Sequence, residues 1–203
     1  MIREGILYVI SAPSGAGKTS LCKEIIDIYP DLRHSVSYTT RPIRAGEVDG
    51  VDYHFVTRKE FDAMVGEGAF AEWAEVHDNC YGTALRTLEE ARTEGLDILL
   101  DIDCQGAAQL KKTYHKGVFI FILPPTLSEL QRRLQGRNTD SAAVIERRIA
   151  NARDEIRQAE WYDYLVVNDR FETALDNLKA IVAAERCRAG RNLQTVSRLL
   201  QNR

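Results

Sequence analysis

Three short apolar runs, Ile6 to Ile10, Ile98 to Leu100 with its flanks, and Val118 to Leu123, are rich in β-forming residues and lack polar alternation. Strands covered on both faces read this way, because helices shield a parallel sheet from both sides. Tyr164 to Val167 predicts a fourth strand of the same kind. The segments after these strands, beginning near Lys18, Cys104, Thr126 and Phe171, carry helical periodicity, so the pattern predicts an α/β core of βα units.

Two stretches break that rhythm. Between Ser35 and Tyr81, short alternating pieces (Val36 to Tyr38, Tyr53 to Val56, Phe70 to Val76) are separated by glycines and charged turns, which predicts a small, partly antiparallel insertion. From Leu127 to Glu160 the chain is polar and arginine-rich, with Arg132, Arg133, Arg137, Arg147 and Arg148 around an Asn138-Thr-Asp-Ser141 break. Two helices joined by a mobile loop fit that composition. The last 25 residues hold six Lys/Arg and one acidic residue, consistent with a solvated helix that has a basic face.

Composition adds bounds. The chain has 203 residues, 44% hydrophobic and 28% charged, with five prolines and thirteen glycines, and it contains no repeat or low-complexity linker. One ordered domain over residues 1–203 is therefore expected. Lys plus Arg number 27 against 30 Asp plus Glu, a formal charge of -3, so no global attraction to nucleic acid or an anionic membrane arises. Any polyanion site must be local. The apolar run at the start is far shorter than the ~20 residues of a membrane span, and a cytoplasmic location is expected. Cys22, Cys80, Cys104 and Cys187 form no CxxC pair, and His34, His54, His77 and Cys80 have no metal-ligand spacing.

Ser11-Ala-Pro-Ser-Gly-Ala-Gly-Lys-Thr19 lies between a predicted strand and a predicted helix, and it nearly matches the P-loop pattern G-x-x-x-x-G-K-[ST]. Gly15 and Gly17 let the backbone wrap an anion with its N–H groups inward, and the helix adds its positive end. Lys18 supplies a mobile cation and Thr19 a Mg²⁺ ligand. Ala12 replaces the first glycine, which an alanine tolerates if its φ is negative. A second pattern, Thr39-Thr-Arg-Pro-Ile-Arg-Ala-Gly-Glu-Val-Asp-Gly-Val-Asp-Tyr53-His-Phe, holds two arginines three residues apart. From its residues alone it is either a second anion site, since the guanidinium fork matches phosphate, or a solvated loop.

Together with Phe70-Ala-Glu-Trp-Ala74, Asn79-Cys-Tyr-Gly-Thr83, Asp101-Ile-Asp103 before Gln105-Gly106, Arg133 to Arg137, and Val167-Asn-Asp169, these motifs resemble the guanylate kinase family along nearly the whole chain. The Thr39 to Phe55 stretch is the specific part, since P-loops occur in many unrelated NTPases. The resemblance implies a P-loop NTPase core with a parallel sheet flanked by helices (about 1–34, 84–126 and 160–203), a mixed α/β GMP-binding insertion (about 35–83) and a helical lid (about 127–159). It implies transfer of the ATP γ-phosphoryl group to GMP, with Mg²⁺ as cofactor. ATP, GMP and deoxy-GMP are the partners it suggests, with no nucleic acid or membrane, in a monomer or homo-oligomer.

Residue by residue, the resemblance places Ser37, Arg41, Arg44, Tyr53 and Tyr81 on the GMP phosphate and Glu72, Thr83 and Asp103 on the guanine. It assigns the ATP site to Ala12, Pro13, Ser14, Gly15, Ala16, Gly17, Lys18, Thr19 and Asn168, and the metal to Thr19 and Asp101. Lys18, Arg41, Arg133, Arg137 and Arg148 are the catalytic cations it suggests. Cys80 stands where the family usually has Tyr. Blander readings remain for several residues: Tyr53 and Tyr81 as core aromatics, Thr83 as a helix cap, and the lid arginines as a solvated face. A nucleotide monophosphate with a second pKa near 6 is already mostly dianionic at neutral pH, so no general base is required. That fits the absence of a catalytic His or Cys arrangement. A phosphopeptide-binding scaffold module and a P-loop kinase for another small substrate are the competing classes; retention of Gly17-Lys-Thr19 argues against the first.

Overall fold

The computed structural model describes residues 5–76, 78–136 and 141–201. Its elements run β1 (Leu7–Ser11), α1 (Lys18–Ile28), β2 (Leu32–His34), β3 (Tyr38–Thr39), β4 (His54–Phe55), α2 (Arg58–Gly66), β5 (Phe70–Val76), β6 (Asn79–Ala84) and α3 (Leu85–Glu94). They continue with β7 (Asp97–Asp101), α4 (Cys104–Thr113), β8 (Val118–Leu123), α5 (Leu127–Gln135), α6 (Ala142–Arg157), β9 (Tyr164–Val167), α7 (Phe171–Arg186) and α8 (Ala189–Gln201). A 3₁₀ turn, Gln158–Trp161, leads from α6 into β9.

The main sheet is parallel throughout, in the order β2-β7-β1-β8-β9. Its apolar runs split by residue parity, as a pleated strand requires. Tyr8, Ile10, Leu99, Ile120 and Ile122 face α1 and α7, packing on Leu21, Ile25, Leu178 and Val182. Val9, Ile98, Leu100, Phe119 and Phe121 face the other way, onto Leu88, Leu110 and Tyr162. Both faces are thus dry in the centre, which is why alternation was absent from the sequence. At the β9 edge the rule lapses: Val166 is buried, but Leu165 and Val167 are 52% and 48% exposed. The expectation that Tyr164 to Val167 is covered on both faces is corrected, because none of the described helices covers that side of the edge strand.

The 35–83 segment forms a second, four-stranded sheet, β4-β3-β6-β5, antiparallel except for β3 with β4. Its own helix, α2, starts with a capping box in which Thr57 and Glu60 exchange hydrogen bonds. Phe61 from α2 is fully buried and stacks on Phe70. The sequence pattern missed α2, α3 and the three-residue β2, which are too short or too polar for a clear period. The insertion is moored to the core by Gln109 of α4, whose side-chain amide donates to the Trp73 carbonyl (2.7 Å) and accepts from its N–H (3.3 Å). In the arginine-rich region α5 and α6 pack through a separate small cluster of Leu130, Leu134, Ile145 and Ala152.

Of the described residues no helix is long and apolar enough to cross a membrane. Phe121 sits in the centre of the sheet, fully buried, with its ring 4.9 Å from that of Tyr162. Phe121→Ala is expected to cost about 3–5 kcal/mol through lost burial and the cavity left behind. Urea denaturation monitored by circular dichroism checks this value.

Candidate functional site

The P-loop leaves β1 at the place where strand connections reverse direction, with β7 on one side and β8 on the other. Its turn is closed by the Ala16 N–H donating to the Pro13 carbonyl (3.0 Å), and Gly15 and Gly17 adopt φ of +92° and +94°. Both glycines are also sterically required. A Cβ on Gly15 would lie 2.9 Å from Leu134 of α5, and one on Gly17 would lie 2.4 Å from the Asn168 side chain. Among the described residues Asp78 is the sole non-glycine with positive φ, so Ala12 keeps ordinary backbone geometry and its methyl joins the core. α1 has no side-chain N-cap, which leaves its first amides for an anion.

Beneath the loop, Lys18 forms an ion pair with Asp101 and donates to the Ile102 carbonyl (2.7 Å). Burial alone would depress the ammonium pKa, but the Asp101 charge and hydrogen bond outweigh it and the net shift is upward. Asp103, two residues on, caps α4 by accepting from the Gly106 N–H (2.9 Å) and the Gln105 side chain (3.2 Å). These groups line a cavity of about 320 Å³ that also takes in Ser14, Thr19, Ser37, Tyr53, Glu72 and Tyr81.

Glu72 projects from β5 opposite Thr83 of β6, whose hydroxyl donates to the carboxylate at 2.6 Å. It is 4% exposed, and burial raises its pKa to about 7, against the pull of the Thr83 hydrogen bond. A Cβ on Gly106 would come within 2.1 Å of the Glu72 carboxylate. The bare backbone at 106 therefore makes the space in which this carboxylate sits, a role that nothing in the sequence signals.

Arg41 is buried, with its fork closed on Glu47 at 2.7 and 3.0 Å and its guanidinium 5.4 Å from the centre of the Tyr53 ring. Tyr53 and Tyr81 meet edge to face at 6.0 Å, so both are packed aromatics as well as cavity walls. Arg44 is exposed; its backbone N–H donates to Glu47. Glu47, held below the usual carboxylate range first by the Arg41 hydrogen bonds, is a site residue that sequence reasoning did not single out.

Asn168 is buried against the P-loop and donates to the Ala16 carbonyl at 2.7 Å. Its own backbone carbonyl accepts from Arg133 (3.0 Å), which also binds Glu129 (2.8 Å). Arg133 thus turns to the back of the loop and away from the cavity wall. Arg148 lies half-exposed on α6, and Thr83 is fully buried behind Glu72. Arg137, the break at Asn138 to Asp140 and His77 lie outside the described residues. No group of three or more His, Cys, Asp or Glu among the described residues could hold a metal by itself. The Thr19 hydroxyl and the Asp101 carboxylate do share one cavity wall. That hard-oxygen donor pair suits Mg²⁺, which commonly binds one or two protein oxygens and takes the rest from water and phosphate.

The family model for guanylate kinase matches residues 4–185. A guanylate kinase of Syntrophotalea carbinolica is 66% identical over 98% of this chain and 95% of its own length. One of Geobacter metallireducens is 65% identical over 97% of each chain. The crystal structure of guanylate kinase from Anaplasma phagocytophilum superimposes with a TM-score of 0.78 at 35% identity, covering 93% of this chain and 90% of that one.

Asn168→Ala removes the clamp on the P-loop turn. It is expected to lower stability by about 1–2 kcal/mol and to speed amide hydrogen exchange across residues 14–17. Unchanged exchange there would show that the loop keeps its turn without Asn168.

Proposed function

Because the chain belongs to the guanylate kinase family and transfers a phosphoryl group from ATP to GMP, we propose a division of that task among the residues of the cavity. The observation that carries it is buried Glu72, backed by the Thr83 hydroxyl, in the cavity that the P-loop also lines. Ionised Glu72 accepts from guanine N1–H and the 2-amino group, and Thr83 meets O6. Thr83 alone discriminates poorly, since a hydroxyl also accepts from the 6-amino group of adenine. Glu72 cannot adapt, because adenine N1 is itself an acceptor. Sites built to pair polar groups reject the wrong partner by about 10⁴ to 10⁵. Asp103, fixed by its capping bonds, supports the base from the start of α4.

Ser37, Tyr53, Tyr81, Arg41 and Arg44 take the GMP phosphate. The stack of Arg41 on Tyr53 holds the fork within reach of the cavity, and Glu47 stands as the carboxylate partner that phosphate replaces. Lys18 and the amides of residues 12–19 take the ATP phosphates, with Asn168 acting on that site through the Ala16 carbonyl. Nucleotide kinases generally use Mg²⁺; here Thr19 and Asp101 would hold it, and it would supply charge neutralisation between the two phosphate chains.

No residue need abstract a proton from the already dianionic acceptor. The protein's work is to position two repelling anions in line and to meet charge on the transferred group. Arg137 and Arg148 of the 127–159 lid supply that charge, joined by Arg133 only if it releases Glu129 and the Asn168 carbonyl and turns to the cavity. The 35–83 segment binds GMP, and the remaining residues form the ATP core. Enclosing the site keeps water from the phosphoryl group.

ADP formation assayed by coupled enzymes with GMP, deoxy-GMP, AMP, CMP and UMP tests the base reading; equal turnover with AMP would overturn it. Glu72→Gln is expected to lower the GMP-over-AMP ratio by about 10² or more. Since the ionised form of Glu72 accepts the guanine donors, GMP affinity in the wild type should fall as pH drops through about 7, and the Glu72→Gln variant should lose that component. The same variant should be more stable at pH 8, by on the order of 2 kcal/mol, because ionising a carboxylate whose folded pKa is raised costs folding energy above that pKa. The gain should vanish below about pH 4.5, where the acid is protonated in both states.

Arg148→Ala is expected to depress kcat by about 10² or more while changing GMP affinity little. Equal losses in both would remove Arg148 from the transition state.

A further inference from the structure

α6 brings a second carboxylate into the phosphate cavity. Glu155, near the carboxyl end of α6, lines the same space as Ser14, Gly15, Lys18 and Asp103. Its carboxylate Oε2 is buried with no hydrogen-bond partner, in a cavity whose wall it shares with Ser14 of the P-loop. The charges facing it are Lys18 from the P-loop and Asp103 from the turn into α4. Burial, reinforced by Asp103 and opposed by Lys18, raises its pKa to about 7. The phosphoryl-transfer roles proposed above leave this residue without a task.

The arrangement sets up a competition. A carboxylate lining the cavity beside Ser14 and Lys18 stands where the loop's amides and cation also draw a nucleotide phosphate, and the two anions repel. α6 also carries Arg148 seven residues earlier, on the same face of the helix. It packs on α5 through Ile145, Ala152, Leu130 and Leu134, and Leu134 in turn touches the P-loop at Gly15. Displacing Glu155 therefore shifts the helix that bears a lid arginine, through contacts that close-packed side chains transmit as a body.

We propose that Glu155 is a positioning residue coupling the nucleotide site to the lid: its carboxylate and the nucleotide phosphates compete for the P-loop, so phosphate entry requires Glu155 to be neutral or to withdraw with α6. This rests on the P-loop as the ATP site and adds a proton-linked gate to it. A nucleotide that binds when Glu155 is neutral has its apparent affinity scaled by the protonated fraction. Below the folded pKa that fraction is near one; above it, the fraction falls with each unit of pH. GMP, held by the 35–83 segment, is the internal reference.

The test is calorimetric titration of wild type, Glu155→Gln, Glu155→Ala and Lys18→Ala with ADP, and separately with GMP, from pH 6 to pH 8. Titration of the ADP phosphate is common to all proteins and cancels in the ratio of dissociation constants. Glu155→Gln should bind ADP about as tightly as wild type at pH 6 and about tenfold more tightly at pH 8. Glu155→Ala should follow the same curve, since loss of charge is the operative change, and GMP affinity should not follow it in either variant. A ratio flat across pH, or weaker ADP binding by both variants at every pH, would overturn the proposal. Lys18→Ala should lose ADP affinity by about tenfold or more; if it binds ADP as wild type does, the P-loop reading fails and this inference with it. If Lys18→Ala weakens ADP binding and the Glu155 ratio stays flat, only the gate is wrong.

Discussion

The Lys18 ammonium is partly withdrawn from water at the wall of the P-loop cavity, and a desolvated charge without a partner is costly. Its hold on Asp101 and the Ile102 carbonyl is therefore a condition for the rest of the site. Asp101 is available because β7 pairs with β1 in the register that sets it beside Ile10, at the end of the sheet that meets the phosphate loop. A one-residue slip would send that carboxylate to the other face and leave the cation bare. The dry, two-sided sheet that fixes the register is thus the electrostatic support of the loop as well as its scaffold.

The Glu72 side of the cavity obeys a different constraint. Glu72 has a raised pKa because it is nearly sealed from water, and the Thr83 hydroxyl offsets only part of that cost. An environment that penalises the empty carboxylate rewards donors that arrive with a ligand, so in the role proposed for Glu72 the same burial that opposes folding would sharpen base choice. Gly106 and the Asp103 cap keep the start of α4 close enough to form this pocket, and Gln109 ties α4 to β5 so that the insertion cannot drift from the core. Arg41 shows the complementary device: a cation aligned by an aromatic ring and a carboxylate, so that little order must be found on binding.

The two halves are joined through the loop itself. Asn168 grips the back of the P-loop and is gripped by Arg133 of α5. Leu134 packs on Gly15 from the same helix, and Glu155 of α6 reaches its front. Guanylate kinases must bring two phosphate chains together despite their repulsion. Here one loop is the shared contact of the sheet, the α5–α6 pair and the carboxylates that set local charge.

Much of this was legible in the chain. The strand-loop-helix order around Gly15, Gly17, Lys18 and Thr19, and the unalternating runs of β1, β7 and β8, each report local backbone chemistry or two-sided burial, which residue order encodes directly. The family resemblance named Glu72, Thr83, Arg41 and Tyr53, and all four lie in or beside one cavity. What only the tertiary structure decided is which groups meet and which stay uncovered: Gly106 making room for Glu72, Glu47 closing on Arg41, Asn168 bonding Ala16, Glu155 lining the cavity beside Ser14, and Leu165 left bare at an edge. A side chain's burial and pKa depend on neighbours delivered by the fold. No local pattern carries that information, because it exists only after the sheet register and helix packing have placed the partners.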